Sequence, residues 1–458
     1  MKTIIVIGGG PAGMAASYAA KSAGTPNVIL IERYGYLGGV LPQCIHNGFG
    51  TQIYENDYTG GEYAGIWKSI VETNGIDIKL NTTVMSVEKI DVSNGNKKSD
   101  KKIWNVHVVS SDQGPEILSA DAVIISTGCR EKTLPQLGVV GSRPAGIFTA
   151  GAVQAMMNLN NYLPGKTAVI LGSGDIGLIM ARRMSLEGIK VKLILGEKST
   201  GLPRNIVQCV EDFEIPMKYG WTVVSTHGYQ RLKGVTIAPF KEDGSIDLTQ
   251  KKYEPCDTLL VAAGLIPETE ICNEYIQKIQ NHSSEEDRLF ICGNAKFVHD
   301  LVDNVTEEAI ETGIDAARSV IGPITLNNEL NKIRSKKVSD TYTKKEGNMI
   351  CTVCPKGCMM QVTLNPFSVT GNECERGFGF AEQEIKSPKR IVTTIVKVEN
   401  AKHPVLSVKT DGLVDKDNIF KVIDASKKIK CKSPINIGDI IATDIAGLDV
   451  NLIATNEV

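Results

Sequence analysis

Short apolar runs that end in glycine recur through the first 300 residues of the chain. The first, TIIVI at residues 3–7, leads into the glycine turn GGGPAG and then into the alanine-rich stretch MAASYAAKSAG. A second, TAVIL at residues 167–171, leads into GSGDIG and another helical stretch. Such apolar runs predict buried strands, and the stretches after them predict helices. We therefore expect an α/β protein in which a strand, a glycine turn and a helix occur twice.

The first turn has the G-x-G-x-x-G spacing of a dinucleotide-binding turn. Gly8 permits the tight turn, Gly10 lets the backbone approach a pyrophosphate, and Gly13 lets the helix pack on the strand. The next strand, NVILIE, ends at Glu32, whose carboxylate can accept hydrogen bonds from an adenosine ribose. The strand, turn and helix context favours a nucleotide site, and a turn that merely connects two elements is the alternative.

The second turn places Gly172, Gly174 and Gly177 in the same three positions, and the strand KVKLIL follows it. Two nucleotide sites in one chain imply two nucleotides. The acid here is Glu197, one place later than the acid of the first motif. A carboxylate there would repel a 2'-phosphate and favours NAD over NADP, although the neighbouring Lys198 keeps NADP possible.

Three further apolar runs end in glycine. ADAVIISTG ends at Gly128 and CDTLLVAAG at Gly264. RLFICGN passes through Gly293 and Asn294 toward a helix that we expect to begin near Val302. All three are predicted to be buried strands that are followed by turns.

Length and composition limit the functions to consider. A chain of 458 residues exceeds what one hydrophobic core serves, so about three domains are expected. The formal net charge of -2 provides no general attraction to nucleic acid. No long apolar run free of glycine, proline and charge occurs, so we expect no membrane span and a cytoplasmic protein.

Eleven cysteines are present, and their distribution is uneven. Six lie scattered through the first 300 residues, unlike a secreted disulfide framework. Cys351, Cys354, Cys358 and Cys374 instead crowd into 24 residues as a C-x2-C-x3-C run and a later fourth. Four thiolates at this spacing can close around one zinc ion or one [4Fe-4S] cluster. The compact triple favours the cluster over zinc, and a coincidental set of unligated thiols is the third possibility.

On these motifs, residues 1–325 resemble the two-dinucleotide-binding-domain flavoprotein reductases, the group that contains thioredoxin reductase, glutathione reductase and NADH oxidases. The resemblance implies FAD at the first turn and a nicotinamide nucleotide at the second. STG at residues 126–128 is similar to the family's Ala-Thr-Gly strand end. CGN at residues 292–294 matches its Gly-Asp element near the ribityl chain, with Asn294 in place of Asp.

The resemblance also implies which residues bind the cofactors. For FAD they are Gly8, Gly10, Pro11, Ala12, Gly13, Glu32, Arg33, Gly39, Val40, Gly128, Gly293, Asn294, His299 and Asp300. For NAD(P)H, with NADH favoured, they are Gly172, Gly174, Asp175, Ile176, Gly177, Glu197 and Gly264.

Disulfide reductases of this group carry a redox cysteine pair after the first motif or inside the nicotinamide domain, and this sequence has neither pair. After the first motif it has only Cys44 and His46, which are our candidate catalytic residues. An imidazolium can lower a thiol pKa, and a single thiolate can face a flavin. The alternative is that Cys44 packs as a small buried residue while His46 hydrogen-bonds flavin or backbone. His299 and Asp300 invite an acid-base role or only orient their loop.

Longer stretches, among them GGVLPQCIHNGFG and VHDLVDNVTEEA, are similar to bacterial NADH-linked flavoproteins associated with FAD-dependent glycerol-3-phosphate or hydroxy-acid dehydrogenases. Similar modules occur in amine and opine oxidase complexes. The resemblance implies a homo- or hetero-oligomer and a dehydrogenase-like partner subunit. The cysteine run, including the GNECERG form of the last ligand, is similar to the small iron-sulfur domain of molybdopterin oxidoreductases. The whole tail resembles a small four-cysteine family of uncharacterised function.

The expected organisation is two Rossmann-like domains, with the nicotinamide domain inserted in the FAD domain, and a small C-terminal α+β four-cysteine domain. The FAD domain is placed at residues 1–148 and 265–325, the NAD(P)H domain at 149–264, a linker at 326–347, and the four-cysteine domain at 348–458.

The expected activity is that of an FAD-dependent NAD(P)H oxidoreductase that relays electrons through an iron-sulfur centre to or from a partner dehydrogenase. The alternatives are a flavin NADH oxidase or reductase with a structural zinc site, a non-catalytic FAD-binding assembly subunit, and direct oxidation of a small hydroxy acid or amine.

Overall fold

The computed structural model describes residues 2–91, 102–272, 275, 288–324, 348–364 and 366–458. The chain divides into two compact units. The first comprises Met1–Arg130 and Leu265–Lys336, and the second comprises Glu131–Gly264 and Lys337–Val458. The linker predicted at 326–347 lies outside the described residues.

The elements of the first 131 residues build one nucleotide motif and an antiparallel sheet beside it. Their helices are α1 Pro11–Ser22 and α2 Gly60–Thr73. Their strands are β1 Thr3–Ile7, β2 Asn27–Ile31, β3 Asn47–Phe49, β4 Tyr58–Thr59, β5 Asp77–Lys79, β6 Thr82–Asp91, β7 Lys102–Ser110, β8 Gly114–Ala120, β9 Ala122–Ile125 and β10 Cys129–Glu131.

The middle of the chain repeats this plan. Its helices are α3 Ala150–Asn158, α4 Asp175–Leu186 and α5 Pro203–Cys209. Its strands are β11 Val140–Gly141, β12 Ile147–Thr149, β13 Thr167–Leu171, β14 Lys190–Gly196, β15 Met217–Tyr219, β16 Trp221–Gly228, β17 Leu232–Pro239, β18 Lys252–Pro255 and β19 Thr258–Val261.

The described remainder contains the end of the first unit and the C-terminal tail. Its helices are α6 Val302–Ile321, α7 Glu375–Lys386 and α8 Ile419–Ser426. Its strands are β20 Leu265–Pro267, β21 Leu289–Ile291, β22 Asn348–Ile350, β23 Met359–Leu364, β24 Phe367–Thr370, β25 Lys389–Arg390, β26 Thr393–Glu399, β27 Val405–Thr410, β28 Val414–Asp415, β29 Lys430–Lys432, β30 Ile440–Ala442 and β31 Leu452–Ala454.

Short 3₁₀ helices connect several of these elements. They lie at Leu41–Gln43, Leu134–Leu137, Glu211–Phe213, Leu248–Gln250, Glu270–Cys272, Gly293–Ala295, Lys416–Asn418 and Ile445–Gly447.

The first unit is built on a parallel sheet of strand order β21-β9-β1-β2-β5. Side chains of β1 alternate between two cores because successive residues of a strand point to opposite faces. Ile4 and Val6 pack on the helical side, whereas Ile5 and Ile7 face the antiparallel sheet β6-β7-β8. Both faces are covered, which explains why the run TIIVI is apolar at every position after Thr3.

Helix α1 packs against α6 through small residues. A Cβ atom added at Gly313 of α6 would lie 2.4 Å from the carbonyl oxygen of Ala16, so the two backbones are in direct contact. The alanine-rich composition of α1 is therefore a packing requirement. The close contact fixes α6 next to the helix that follows the first glycine turn.

The second unit has a parallel sheet of strand order β12-β19-β13-β14-β15. In β13, Ala168 and Ile170 face helices, whereas Val169 and Leu171 face the mixed sheet β11-β16-β17-β18, in which only β11 and β16 pair in parallel. The predicted α/β class with two Rossmann-like sheets is therefore confirmed.

The C-terminal tail forms sheets of order β22-β23-β24 and β29-β26-β27-β31-β30. It packs on the middle of the chain within the second unit. Leu186, the last residue of α4, belongs to a hydrophobic cluster whose other buried members all come from the tail. Within the described ranges, no helix combines the length and apolarity that a membrane crossing requires.

Candidate functional site

A cavity of about 450 Å³ opens in the first unit where β1, β2 and β9 end. Ligands of parallel α/β sheets bind outside the carboxyl ends of the strands, so its position suits a cofactor. Thirteen of the residues singled out from the sequence line it: Gly8, Gly10, Pro11, Ala12, Glu32, Arg33, Gly39, Val40, Cys44, Gly128, Asn294, His299 and Asp300.

The first glycine turn forms one wall of the cavity. A Cβ atom at Gly8, where φ is +111°, would lie 2.5 Å from the Ser126 carbonyl oxygen. At Gly13 it would lie 1.7 Å from the Gly8 carbonyl oxygen. At Gly10 the nearest atom would be the Gly39 Cα at 4.0 Å. Gly8 and Gly13 thus serve the turn itself, whereas Gly10 leaves open space beside the cavity that fits the close approach of a pyrophosphate.

Glu32 is 5% exposed and lines the cavity directly after β2, which ends at Ile31. Its Oε2 accepts the Gly9 N–H at 2.7 Å, and its Oε1 accepts the Tyr34 N–H at 2.8 Å. A carboxylate has about four acceptor sites, so acceptor capacity remains for ribose hydroxyls. The carboxylate is therefore held in place by the protein's own backbone.

Arg33, Tyr34, Gly39 and Val40 also line the cavity. The guanidinium of Arg33 lies 5.1 Å from the ring centroid of Tyr34. A Cβ atom at Gly39 would lie 3.1 Å from the Gly10 Cα, so the two backbones face each other closely. The side chain of Val40 is exposed. These contacts narrow the cavity next to the turn.

Cys44 and His46, the candidate catalytic residues, lie differently. Cys44 is buried, lines the cavity and donates its thiol to the Val40 carbonyl oxygen at 3.4 Å. His46 is half-buried, its ring lies 5.2 Å from that of Phe49, and it is not among the described residues that line the cavity. The structure therefore places the thiol, but not the imidazole, on the cavity wall.

His299 presents a polar atom that the described residues leave without a hydrogen bond. Its side chain is 6% exposed, and its Nε2 lies 3.4 Å from Glu308 Oε2 without hydrogen-bond geometry. The backbone N–H of His299 donates to Asn294 Oδ1 at 3.0 Å. Buried polar atoms normally have partners, so this atom beside a cavity fits a bound polar cofactor.

Two acids that support the cavity were not singled out from the sequence. Asp303, fully buried in the first turn of α6, accepts backbone N–H groups of Gly50, Gln52 and Ile53 at 3.0–3.2 Å. Burial raises its pKa, against the effect of these hydrogen bonds. An acid in the first turn of a predicted helix could have indicated it. Glu308 has no local signal, because its contacts lie outside its own helix.

The second glycine turn repeats the first. A Cβ atom at Gly172 would lie 2.1 Å from the Ala262 carbonyl oxygen, and one at Gly177 would lie 2.4 Å from the Gly172 carbonyl oxygen. At Gly174 the nearest atom would be Thr200 Oγ1 at 3.5 Å, which is an ordinary contact. Asp175 Oδ1 accepts the Leu202 N–H at 2.7 Å and Asn205 Nδ2 at 2.8 Å.

The other residues predicted for the second nucleotide surround this turn. Ile176 is half-buried in α4, and Gly264 has a φ of +103°. Glu197 is exposed. The backbone of the second turn is therefore shaped like that of the first, but its acid is open to solvent.

The four clustered cysteines share one neighbourhood at the start of the tail. Burial, followed by the neighbouring thiols of Cys354, Cys358 and Cys374, raises the pKa of Cys351 against a hydrogen bond from the Val353 backbone. The Cys351 N–H donates to the Cys358 carbonyl oxygen at 2.9 Å. Among the described residues, no three or more histidine, cysteine or acidic side chains are arranged so as to hold a metal ion.

Comparison with known proteins gives two family matches. Residues 2–295 match the family described as pyridine nucleotide-disulphide oxidoreductase. Residues 375–456 match one described as a protein of unknown function, DUF1667. All four clustered cysteines lie outside the second match.

Several curated proteins are similar to the chain. It is 25% identical over 316 residues to the HcnB subunit of hydrogen cyanide synthase from Pseudomonas protegens, which covers 64% of this chain and 62% of that protein. It is 22% identical over 293 residues to a subunit of opine oxidase from Rhizobium meliloti, with coverages of 59% and 51%. The chain thus spans between half and two thirds of the length of these relatives.

Among solved structures, the thioredoxin reductase of T. acidophilum has a TM-score of 0.50 and 19% identity, over 70% of this chain and 98% of that chain. This likeness shows the fold. The oxidoreductase match itself extends over well more than half of the 458 residues. The chain therefore belongs to the pyridine nucleotide-disulphide oxidoreductase family.

Proposed function

We propose that this chain transfers hydride between NADH and FAD and exchanges electrons with a partner dehydrogenase through a centre held by Cys351, Cys354, Cys358 and Cys374. A [4Fe-4S] cluster is the favoured centre. The observation that carries the proposal is that three of the four thiols lie on one short loop, with Cys374 near them, and that this loop packs against helix α5. Metal binding couples to local folding, so the ligands would close fully only around the bound centre.

The cysteine loop, residues 351–358, contacts helix α5 directly. Gln208 Nε2 donates to Thr352 Oγ1 at 2.9 Å, and a Cβ atom at Gly357 would lie 2.8 Å from the Pro203 Cβ. Helix α5 is in turn tied to the second glycine turn through the hydrogen bonds that Asp175 accepts. These contacts support a functional connection between the second nucleotide site and the cysteine loop.

A buried ion network anchors the tail to Asp212 in the middle of the chain. The guanidinium of Arg390 donates to Asp212 and Glu384, with shortest distances of 2.8 and 2.7 Å. Lys416 Nζ lies 2.8 Å from Asp212 Oδ1. Breaking such a buried pair costs about 3–5 kcal/mol, so the tail is held firmly. A firmly held tail supports a stable electron-transfer path.

In the first unit, bound FAD supplies two-electron chemistry that can also be divided into single electrons. Glu32 is positioned to bind the adenosine ribose, and the open backbone at Gly10 to admit the pyrophosphate. Cys44 and His299 are among the polar side chains that line the cavity. In the second unit, Glu197 would repel a 2'-phosphate, which supports NADH as the nucleotide.

The relatives support a partner. The matched proteins of hydrogen cyanide synthase and of opine oxidase are both named as subunits. We infer that the partner is a glycerol-3-phosphate or hydroxy-acid dehydrogenase-like subunit. None of the described cysteines forms a disulfide, which supports a reducing compartment such as the cytoplasm.

An anaerobic titration with NADH tests the proposal. The purified chain should contain FAD and roughly four irons, and NADH should bleach the flavin and then the iron-sulfur absorbance. Cys354→Ser should abolish the iron while sparing flavin bleaching. Cys431→Ser, a tail cysteine outside the cluster, is the matched control and should change neither.

Two other results would refute parts of the proposal. If the purified chain contains zinc and no iron, the flavin reductase activity would still be supported, but the cysteines would hold a structural site and the electron relay would be refuted. Failure of both NADH and NADPH to bleach the flavin would instead indicate a non-catalytic FAD-binding subunit.

A further inference from the structure

Glu308, in the second turn of α6, contacts the segment 293–299, which contributes Asn294 and His299 to the cavity. Its Oε2 accepts the Gly293 N–H at 2.6 Å, and its Oε1 accepts Lys296 Nζ at 2.8 Å. The same Oε2 lies 3.4 Å from His299 Nε2. One carboxylate therefore contacts the beginning, the middle and the end of the segment.

The carboxylate is ionised at neutral pH. Burial opposes its charge, but His299, Lys296 and the Gly293 N–H together outweigh that effect and lower the pKa of Glu308. Its side chain is 17% exposed, so solvent screens these contacts only partly. The negative charge next to the imidazole is thus a stable feature of the folded chain.

The imidazole of His299 is restrained on two sides. Its ring centroid lies 3.9 Å from that of Phe297, and its backbone N–H is bound by Asn294. Glu308 approaches the Nε2 edge at ion-pair distance. A carboxylate next to an imidazole can fix the orientation of the ring. The ring is therefore oriented at the cavity wall.

Position indicates which part of FAD the imidazole serves. Glu32 is placed for the adenosine ribose, and the glycine turn with the N-terminus of α1 is placed for the pyrophosphate, so the His299 side of the cavity is left for the flavin end. An imidazole N–H can donate to a group that gains negative charge during the reaction, as the flavin ring does when it takes up electrons. We propose that His299 contacts the flavin ring of bound FAD and stabilises its reduced form, and that Glu308 is the positioning residue for His299.

This inference rests only on the FAD-dependence in the proposed function and is independent of the cysteine centre and the partner. The test measures the reduction potential of the flavin in the FAD-loaded chain by dye equilibration, without NADH. Its outcome therefore does not depend on whether the electron relay exists.

His299→Gln should lower the equilibrium constant for flavin reduction about tenfold, which is a fall of about 30 mV in the reduction potential of a two-electron couple. Glu308→Gln should lower the potential as well, because the ring loses its orientation. Removal of a negative charge alone would have the opposite effect and raise it. The double variant should fall no further than His299→Gln, since the two residues act as one group. Glu311→Gln, an exposed site on the same helix, is the matched control.

Glu308→Asp provides a second measurement in case Glu308→Gln does not fold. It keeps the charge and shortens the side chain, so a fall in potential reports lost positioning. Any of four results would overturn the inference. The potential could rise with Glu308→Gln, or the effects of the two substitutions could add in the double variant. Glu308→Asp could leave the potential unchanged, or His299→Gln could change only the affinity for FAD.

Discussion

The two nucleotide motifs of this chain share one scaffold. The Thr3 N–H donates to Asp121 and the Thr167 N–H donates to Asp257, in each case at 3.0 Å. Each aspartate directly precedes the strand that pairs with the central strand of its motif. A carboxylate thus secures the start of the central strand in both copies, whichever nucleotide the motif binds.

Glycine geometry is also shared. Added Cβ atoms would clash at Gly8 and Gly172 with the carbonyl oxygen of a neighbouring strand end, and at Gly13 and Gly177 with the turn itself. These distances run from 1.7 to 2.5 Å, all shorter than a non-bonded contact allows. The first and third glycines therefore serve the packing of strand, turn and helix.

The motifs differ at the acid after the second strand. Glu32 is buried and bound by two backbone N–H groups, whereas Glu197 is exposed. The strand ends differ as well, because Ser126 Oγ donates to the Ile7 carbonyl oxygen at 2.8 Å and the corresponding residue is Ala262. Glycine spacing thus indicates the backbone turn. The burial and hydrogen bonding of the acid show whether its carboxylate is already fixed before the nucleotide binds.

The largest effect is expected from Gly13→Ala. The new Cβ atom would lie 1.7 Å from the Gly8 carbonyl oxygen, so the turn must open. We expect a loss of about 3 kcal/mol in the free energy of unfolding and of nearly all bound FAD. Absorbance of the purified protein measures the flavin. Gly177→Ala should weaken NADH binding but retain FAD, and loss of FAD in both variants would contradict the independence of the two sites.

Glu32→Ala should have the next largest effect. It leaves the Gly9 and Tyr34 N–H groups without their acceptor, at a cost of about 2–4 kcal/mol, and should weaken FAD binding at least tenfold. Flavin release on dilution and chemical denaturation measure the two quantities. Glu197→Ala, on the exposed acid, should change stability by less than about 0.5 kcal/mol and raise the Kd for NADH only severalfold. Equal destabilisation by both variants would remove the distinction between the motifs.

Ser126→Ala makes the first strand end resemble the second. It deletes one buried hydrogen bond to the Ile7 carbonyl oxygen, so stability should fall by about 1 kcal/mol while FAD remains bound. Thermal unfolding of the FAD-loaded protein measures this change. A loss of FAD comparable to that in Gly13→Ala would show that the hydroxyl, rather than the glycine geometry, maintains the turn.

The smallest effect is expected from Asp257→Asn, in the shared scaffold. Burial opposes the charge of Asp257, but hydrogen bonds from Thr167, Lys166 and Thr258 outweigh it and lower its pKa below 3.8. Its contribution to stability is therefore present above about pH 4 and is lost as the pH falls through the lowered value. The free energy of unfolding, measured by denaturation between pH 3 and 7, should depend less on pH in the variant. The difference from the unmodified chain should be less than about 1 kcal/mol. An unchanged pH dependence would show that this carboxylate contributes nothing through its charge.

Much of the architecture could be predicted from the chain. The two strand–turn–helix runs predicted an α/β class, and the parallel sheets and the oxidoreductase match confirm it. Of the residues proposed for FAD, Gly13 and Gly293 do not line the cavity. They serve packing instead, since an added Cβ atom would collide with the Gly8 carbonyl oxygen at Gly13 and with the Ala12 side chain at Gly293. The roles proposed for Cys44 and His46 remain predictions.

Other features could not be predicted because they join residues far apart in the chain. Asp303 binds a loop some 250 positions away, and Arg390 pairs with Asp212. No periodicity or motif marks such contacts. The packing of the cysteine loop on α5 is of the same kind, since it depends on two surfaces that form separately.

The sequence by itself determined the elements whose physics is local: the apolar runs that become strands, the glycine turns between strand and helix, and the close spacing of the four cysteines. Only the tertiary structure decided that Glu32 is buried while Glu197 is exposed, that Glu308 approaches His299, and that the tail packs on helix α4. The reason is that burial and charge pairing depend on neighbours brought together by folding, whereas turn geometry depends on adjacent residues alone.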